Sequence, residues 1–204
     1  MTSRTGKPIV IADYDPASPL RFERERDLIL RTCGAAPFVR IEHVGSTAVP
    51  GLAAKPIIDL MPGLHTLDDA PPLIPKLQSI GYEYGPEAEQ PNEFDEGMPE
   101  RRYFRKDVGG ERAFHMHMVT VTSDFWQTHL LFRNFLRVSP DARREYDGVK
   151  RRVAAEYNAT LTPQSNINLG YTEKKSDCIA AIMAKARTYI AEGRWDGETG
   201  TLLR

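Results

Sequence analysis

A short apolar run with one acid inside it, PIIDLM at positions 56–61, constrains this chain more than any other feature. Such a run predicts a central strand with Pro56 at its first position. Strand alternation places Asp59 and Met61 on the same face. A carboxylate is costly to bury without a cation or hydrogen-bond donors. Asp59 is therefore either a functional group where this face leaves the core or half of an ion pair with Lys55 or an arginine.

Strand-like patterns occupy the first part of the chain, and the last third is helical. A strand or an extended arm is predicted at residues 9–12. Strands are predicted at residues 38–44, 56–61, 101–106 and 112–121, with Pro62-Gly63 ending the second of these and a turn at Gly109-Gly110 before the last. Helices are predicted at residues 18–32, 66–79, 123–138, 140–157 and 171–191. Strands followed by helices that pack against them indicate an α+β fold. We expect a single domain over residues 1–204, with a strand-rich part (1–122), a helical part (123–193) and a short tail (194–204).

Charge and cysteine content exclude several classes of protein. Lysine and arginine total 27 against 28 acidic residues, which argues against a strong overall attraction to nucleic acid or to an anionic membrane. Cys33 and Cys178 are the only cysteines in the 204 residues, too few for a disulfide framework. No apolar run approaches the ~18 residues that a membrane span needs. The composition therefore predicts a soluble, cytoplasmic protein.

The turn Gly45-Ser46-Thr47 follows the strand at residues 38–44. A glycine there lets the backbone approach a ligand closely. If Ser46 or Thr47 begins a helix, the free amides and the helix dipole favour a phosphate group. An ordinary helix cap is the alternative interpretation.

Two histidines, His115 and His117, are separated by one residue on a predicted strand and therefore point the same way. Phe114, Met116 and Met118 point the other way and are expected in the core. A histidine pair suits a metal ion, a phosphate group or acid–base chemistry. The alternative is a polar face of an antiparallel sheet.

Charged residues change sign abruptly near position 100. Residues 83–100 contain many acids and no lysine or arginine, and we expect a long loop or flap there. In the basic strand that follows, Arg105 suits phosphate binding, unless it pairs with the acidic loop. Tyr171 and Lys175 are one helical turn apart on one face, as a binding pair or as ordinary surface.

The longest of these motifs, EHVGSTAVPGLAAKPIID at positions 42–59, resembles the GrpB family, also called UPF0157. The resemblance extends over about residues 13–190, and its further motifs are YFRK, HMHMV, LFRNFLR and YTEKK, which begin at positions 103, 115, 131 and 171. That family is placed in the nucleotidyltransferase-fold superfamily. The resemblance therefore implies a mixed, largely antiparallel sheet flanked by helices, with a C-terminal helical part.

The resemblance also implies a nucleotide site. The superfamily combines a glycine-serine or glycine-glycine turn with an acid-hydrophobic-acid pattern on a strand and a third acid on a later strand. Here Gly45-Ser46 and Asp59 match the first two parts, and the later strand offers His115 and His117 instead of an acid. The second acid would fall at position 61, where this chain has Met61. The residues expected to bind nucleotide phosphates are Gly45, Ser46, Thr47, Arg105, Tyr171 and Lys175.

Two hypotheses of different classes follow. In the first, the protein is a metal-dependent nucleotidyltransferase that moves a nucleotidyl group from a nucleoside triphosphate to an unknown acceptor. Asp59 would bind Mg²⁺ or Mn²⁺ with His115 and His117, while Lys55 or Arg105 would offset charge on the leaving pyrophosphate. Its catalytic residues would be Asp59, His117 and Lys55.

In the second hypothesis, the same residues line a cleft that binds a nucleotide or another anionic small molecule, and the protein catalyses no reaction. Met61 favours this interpretation, because one aspartate cannot hold two metal ions alone. A histidine–aspartate site for Zn²⁺ and hydrolysis is a third alternative.

Overall fold

The computed structural model describes residues 6–86, 101–165 and 168–195. The strands in these ranges are β1 (Arg40–Val44), β2 (Ile58–Leu64), β3 (Glu83–Tyr84), β4 (Arg101–Val108) and β5 (Glu111–Thr120). The α-helices are α1 (Ser18–Cys33), α2 (Ile74–Ser79), α3 (Asp124–Val138), α4 (Pro140–Ala159) and α5 (Ser176–Ala191). The predicted α+β class is confirmed.

The chain divides into two compact units that alternate along the sequence. We call the first the sheet unit, made of the described residues of Asp15–Ala48 and Ile57–Leu130. The second is the helical unit, made of the described residues of Met1–Tyr14, Val49–Pro56 and Leu131–Arg204.

The sheet unit contains one five-stranded sheet in the order β1-β2-β5-β4-β3. Between its described strands, β2 and β5 pair in parallel and the other neighbours pair antiparallel. The mixed, largely antiparallel sheet expected from the family resemblance is therefore confirmed. The tight β4–β5 turn places Gly109 and Gly110 at φ 62° and 83°, which glycine adopts without strain.

Strand β2 is longer than the sequence predicts, because Pro62 and Gly63 lie inside it. The neighbouring strands β1 and β5 continue to pair with β2 at these positions. Gly63 lies opposite Arg40 of β1 and Val119 of β5. A side chain at Gly63 would overlap Trp126, so glycine is required here for packing and does not end the strand.

Alternation along the strands gives the sheet two different faces. The face that we call the core face packs against α1 and α2. Its cluster includes Phe22, Ile29, Ile58, Leu60, Leu77, Phe104, Phe114, Met116 and Met118. The prediction that Phe114, Met116 and Met118 belong to the core is confirmed. The opposite face, which we call the site face, carries the polar side chains described below.

Prolines break up the helix predicted at residues 66–79. Single 3₁₀ turns at Leu67–Asp69 and Pro71–Leu73 precede α2, because a proline inside a helix removes a backbone donor and clashes with the preceding turn. The strand or extended arm predicted at residues 9–12 forms one bridge, between Ala12 and Ala54.

The acidic segment predicted as a loop begins with a short strand, since Glu83–Tyr84 pairs with β4 as β3. Most of the predicted loop, residues 87–100, lies outside the described residues. So does most of the expected tail at 194–204, of which Arg194 and Trp195 are described.

The helical unit is built on α4, α5 and the second half of α3. One of its buried clusters gathers Val49, Leu52, Phe135, Leu136, Ala142, Tyr146, Ile182, Ala186 and Trp195, and the other gathers Ile9, Val153, Ala154, Tyr157 and Tyr171. In the described ranges, no helix has the length and apolar character needed to cross a bilayer.

Candidate functional site

Four side chains form a continuous row across the site face. Asp59 of β2 lies opposite His115 of β5, His115 opposite Arg105 of β4, and Arg105 opposite Glu83 of β3. Cross-strand neighbours project from the same face, so acid, imidazole, guanidinium and acid alternate along this row. The sheet therefore brings Asp59 and His115 together, although 55 residues separate them in the sequence.

The Asp59 carboxylate lies directly against the turn that follows β1. A methyl group on Gly45 would overlap the Asp59 carboxylate, and Gly45 has φ 70°. Only glycine combines this backbone conformation with so close an approach. The glycine turn and the strand aspartate are therefore in contact.

The rest of the turn is fixed from inside. Thr47 is buried, and its hydroxyl donates to the Ile57 carbonyl at 3.2 Å and lies 3.1 Å from His43 Nε2. The Thr47 hydroxyl therefore holds the turn against the segment that leads into β2, and phosphate binding at Thr47 stays a prediction. The half-buried Ser46 begins only a three-residue 3₁₀ turn, Ser46–Ala48, too short for an appreciable helix dipole.

Asp59 and His115 form the more exposed end of the site. Asp59 Oδ1 lies 3.3 Å from His115 Nδ1, and the two side chains are 27% and 19% exposed. Asp59 is therefore neither sealed in the core nor fully in solvent. A protonated His115 would form an ion pair with it.

Arg101 and His117 form the deeper end. Arg101 is only 8% exposed, and its Nη1 lies 3.1 Å from His117 Nδ1. Because a guanidinium can only donate, His117 Nδ1 is the acceptor and its proton is on Nε2. Burial, and after it the Arg101 charge, hold the pKa of His117 well below its usual range. His117 is therefore neutral at pH 7.

Aromatic rings surround this pair. The Arg101 guanidinium carbon lies 5.3 Å from the centroid of Tyr103 and 5.7 Å from that of Phe125. Phe125 stacks on His129 at 3.8 Å, and His129 Nδ1 donates to the Phe125 carbonyl at 2.8 Å. Burial also lowers the pKa of His129. Among the described residues, Arg101 therefore has aromatic rings and neutral imidazoles as neighbours, and the Asp59 charge also acts on both imidazoles.

The described side chains do not fit a two-ion catalytic centre. Such a centre needs several carboxylates around its ions, and no group of three or more His, Cys, Asp or Glu side chains suited to a metal occurs in ranges 6–86, 101–165 and 168–195. Met61, where the second acid would stand, is fully buried. Glu42, opposite Met61 on β1, is bound by Arg40 at 3.2 Å. His117 Nδ1 accepts a hydrogen bond from Arg101, so this atom is occupied. Of the three expected metal ligands, only Asp59 and His115 lie side by side.

Arg105 makes two contacts with Glu83, from Nε to Oε2 at 2.9 Å and from Nη2 to Oε1 at 2.5 Å. Arg105 donating to the carboxylate lowers the pKa of Glu83. The sequence left open whether Arg105 binds phosphate or pairs with the acidic segment, and the structure places it in such a pair.

Lys55, Tyr171 and Lys175 belong to the helical unit. Tyr171 and Lys175 are not on a regular α-helix, because a π-helical turn (Asn168–Thr172) and a 3₁₀ turn (Glu173–Lys175) precede α5. Lys175 nevertheless lies over the Tyr171 ring, with its Nζ 4.2 Å from the ring centroid.

Arg101, Tyr103, Phe125 and His129 were not predicted as site residues. Alternation along β4 places Arg101, Tyr103 and Arg105 on the same face of the sheet. Applying this period of two to the sequence would therefore have identified Arg101 and Tyr103 as site residues. Phe125 and His129 are four residues apart on α3, and only the packing of that helix brings them to the sheet.

Sequence comparison finds one family over most of the chain. A sequence model described as "GrpB protein" matches residues 8–185. A UPF0157 protein of Pseudomonas aeruginosa is 36% identical over 182 residues, which is 87% of this chain and 67% of that protein. The UPF0157 protein YqkA of Bacillus subtilis is 32% identical over 136 residues, and this chain spans 37% of its length.

One solved structure of the same family matches most of the chain, and a polymerase structure matches it weakly. Cid1 poly(U) polymerase shows a weak similarity, with a TM-score of 0.48 and 12% identity over 71% of this chain and 44% of that one. The crystal structure of GrpB from Enterococcus faecalis has a TM-score of 0.72 and 30% identity, and the match covers 88% of this chain and 99% of that chain.

Proposed function

The chain belongs to the GrpB protein family, and we propose that the site face of its sheet unit binds a nucleotide or another anionic small molecule. The observation that carries this proposal is the Arg101 guanidinium, 8% exposed and 3.1 Å from the neutral His117. Arginine presents several fixed donors that suit phosphate and carboxylate groups. A cation surrounded by rings and neutral imidazoles attracts an anion more strongly than one in water.

The histidines suit the same role. His117 keeps its proton on Nε2, so this atom is a neutral donor whose direction is set by the bond from Arg101 to Nδ1. His115, beside Asp59, gains positive charge when it is protonated. Arg101, His117 and His115 therefore offer a phosphate group both charge and hydrogen-bond donors, with no metal ion needed to attract it.

Metal-dependent nucleotidyl transfer is the second candidate. It is favoured by Asp59, which lies against the glycine turn and keeps 27% of its side chain exposed. Within the part of the chain that the structure describes, the residues around it lack the further carboxylates of a two-ion centre. No catalytic step through a metal ion is therefore assigned to this site.

Calorimetric titration of the full chain with ATP and with inorganic pyrophosphate, in EDTA and then in Mn²⁺, separates the two candidates. Anion binding predicts affinity in EDTA. It also predicts that Asp59→Asn tightens this affinity about threefold or more, because a like charge beside the anion is removed. A metal-mediated site predicts the opposite, loss of binding in Asp59→Asn and no binding in EDTA.

Matched variants control for total charge. Asp68→Asn removes an acid after the other end of β2 and is expected to change affinity less than twofold, since its charge is exposed and screened. Arg101→Gln is expected to weaken binding about tenfold or more. Arg102→Gln alters the adjacent residue, which alternation places on the other face, and is expected to have little effect. Equal losses in the two arginine variants would contradict the proposal.

A further inference from the structure

An acid of the site face occupies one of its arginines. The two carboxylate oxygens of Glu83 accept from Nε and Nη2 of Arg105, at 2.9 and 2.5 Å, so one carboxylate meets two donors at once. Arginine binds the carboxylate or phosphate group of a ligand through the same kind of double contact. Glu83 therefore takes the position on Arg105 that an anionic ligand would take.

The backbone that carries Glu83 is fixed, but its carboxylate is not enclosed. Glu83 lies opposite Arg105 in the β3–β4 pairing, and just beyond it the Gly85 amide donates to the Tyr103 carbonyl at 2.9 Å. The side chain of Glu83 is nevertheless 55% exposed, against 18% for Arg105. The carboxylate can therefore leave Arg105 by a change of side-chain rotamer, and the strand can stay in place.

The contact between Glu83 and Arg105 is weak enough for a ligand to replace. Water screens an ion pair whose acid is so exposed, and such pairs contribute little to stability. A phosphoryl group with two negative charges attracts a guanidinium more strongly than a carboxylate with one. An anionic ligand on the site face can therefore displace Glu83 from Arg105.

Arg105 acts on the same part of the sheet as Arg101. Burial raises the pKa of Tyr103, and the Asp59 charge also raises it. Three arginine charges act in the other direction on this pKa, those of Arg112, Arg105 and Arg101. The charges of Arg105 and Arg101 therefore both reach the Tyr103 ring, and an anion beside that ring is attracted by both.

We propose that Glu83 is an internal competitor of the anion that binds on the site face: it holds Arg105 before a ligand binds and releases it to the ligand. Glu83 thereby lowers the affinity, because a ligand gains Arg105 only in the fraction of molecules in which the carboxylate has left. It also sets the specificity of the site, since a ligand must outcompete a carboxylate. This inference rests on the proposed function and assigns to that site a residue that restrains it.

Calorimetric titration of Glu83→Gln with pyrophosphate and with ATP, in EDTA, tests the proposal. Glutamine keeps the length of the side chain, but its uncharged oxygen is a weaker acceptor for a guanidinium. We expect each ligand that binds the wild type to bind this variant about threefold more tightly or better, as for a carboxylate that holds Arg105 about two thirds of the time. Glu111→Gln, which removes an exposed acid at the start of β5, should change the affinity by less than about 1.5-fold.

Arg105→Gln separates competition from a general effect of charge. Arg101 is retained in this variant, so binding should remain measurable. If Glu83 acts by holding Arg105, adding Glu83→Gln to Arg105→Gln should change the affinity by less than about 1.5-fold. If Glu83 acted only through its charge, the gain would persist in the double variant, because the same charge is removed.

Three results would overturn the proposal: an unchanged affinity in Glu83→Gln, an equal gain in Glu111→Gln, or a gain that survives Arg105→Gln. In each of them the wild type still binds the anion, so the proposed function would stand. Failure of the wild type to bind either anion in EDTA would overturn the proposed function and this inference together.

Discussion

The carboxylate of Asp59 lies so close to Gly45 that a methyl group on the glycine would overlap it. Gly45 also has φ 70°, in the left-handed region that side chains rarely adopt. Gly45→Ala is therefore expected to destabilise the protein by about 2–4 kcal/mol, from backbone strain and displacement of the carboxylate. Urea unfolding measures this change.

Gly109→Ala is the matched control. Gly109 has φ 62°, but a side chain there would meet no atom within 4 Å. Only the backbone strain of about 1–2 kcal/mol is expected. Equal effects of the two substitutions would mean that Asp59 and Gly45 are not in close contact.

The lowered pKa values of His117 and His129 predict a pH-dependent stability. Below pH ~6.5 these two imidazoles bind protons in the unfolded chain but stay unprotonated in the folded protein. The free energy of unfolding should fall as the pH decreases from about 6.5 towards the folded-state pKa values, by up to ~1.4 kcal/mol per pH unit for each histidine.

Denaturation of His117→Gln over the same pH range checks this. The variant should show a shallower decrease, because one titrating group is gone and glutamine can still accept from Arg101. His65→Gln, which changes an exposed histidine, should keep the wild-type slope. If His117→Gln also keeps that slope, His117 does not titrate abnormally.

Substitutions at position 61 test whether the position of the missing second acid now belongs to the apolar core. Met61 is fully buried with Val44, Val119 and Trp126. Met61→Asp is expected to cost more than about 3 kcal/mol, because it buries an uncompensated charge. Met61→Leu, of similar volume, should cost less than about 1.5 kcal/mol. Similar unfolding curves for the two variants would mean that water reaches this position.

The buried Lys150 should make the free energy of unfolding depend on pH in the alkaline range as well. Burial lowers its pKa to about 8. Between about pH 8 and 10 the unfolded chain therefore holds a proton that the folded protein has lost, so Lys150 makes stability rise with pH by up to ~1.4 kcal/mol per unit. Lys150→Met should remove this contribution in unfolding measurements, and Lys174→Met, at an exposed position, should retain it. Parallel pH profiles for wild type and Lys150→Met would exclude a lowered Lys150 pKa.

Local patterns were enough to predict most of the helices and strands. The apolar period placed α1 and α3 within a residue or two, and alternation along β5 correctly separated the histidines from Phe114, Met116 and Met118. The errors occur where partners override local preference. Pro62 and Gly63 continue β2 because neighbouring strands pair with them, although the same dipeptide ends many strands.

The sequence by itself determined the α+β class, the family and the faces on which Asp59, His115 and His117 lie, because side-chain alternation in a strand depends only on neighbouring residues. Tertiary structure decided which groups meet. It paired Arg101 with His117 and Arg105 with Glu83, and it assigned Lys55 and Asp59, four positions apart, to different compact units. Strand register and helix packing depend on contacts between distant segments, and no local pattern encodes them.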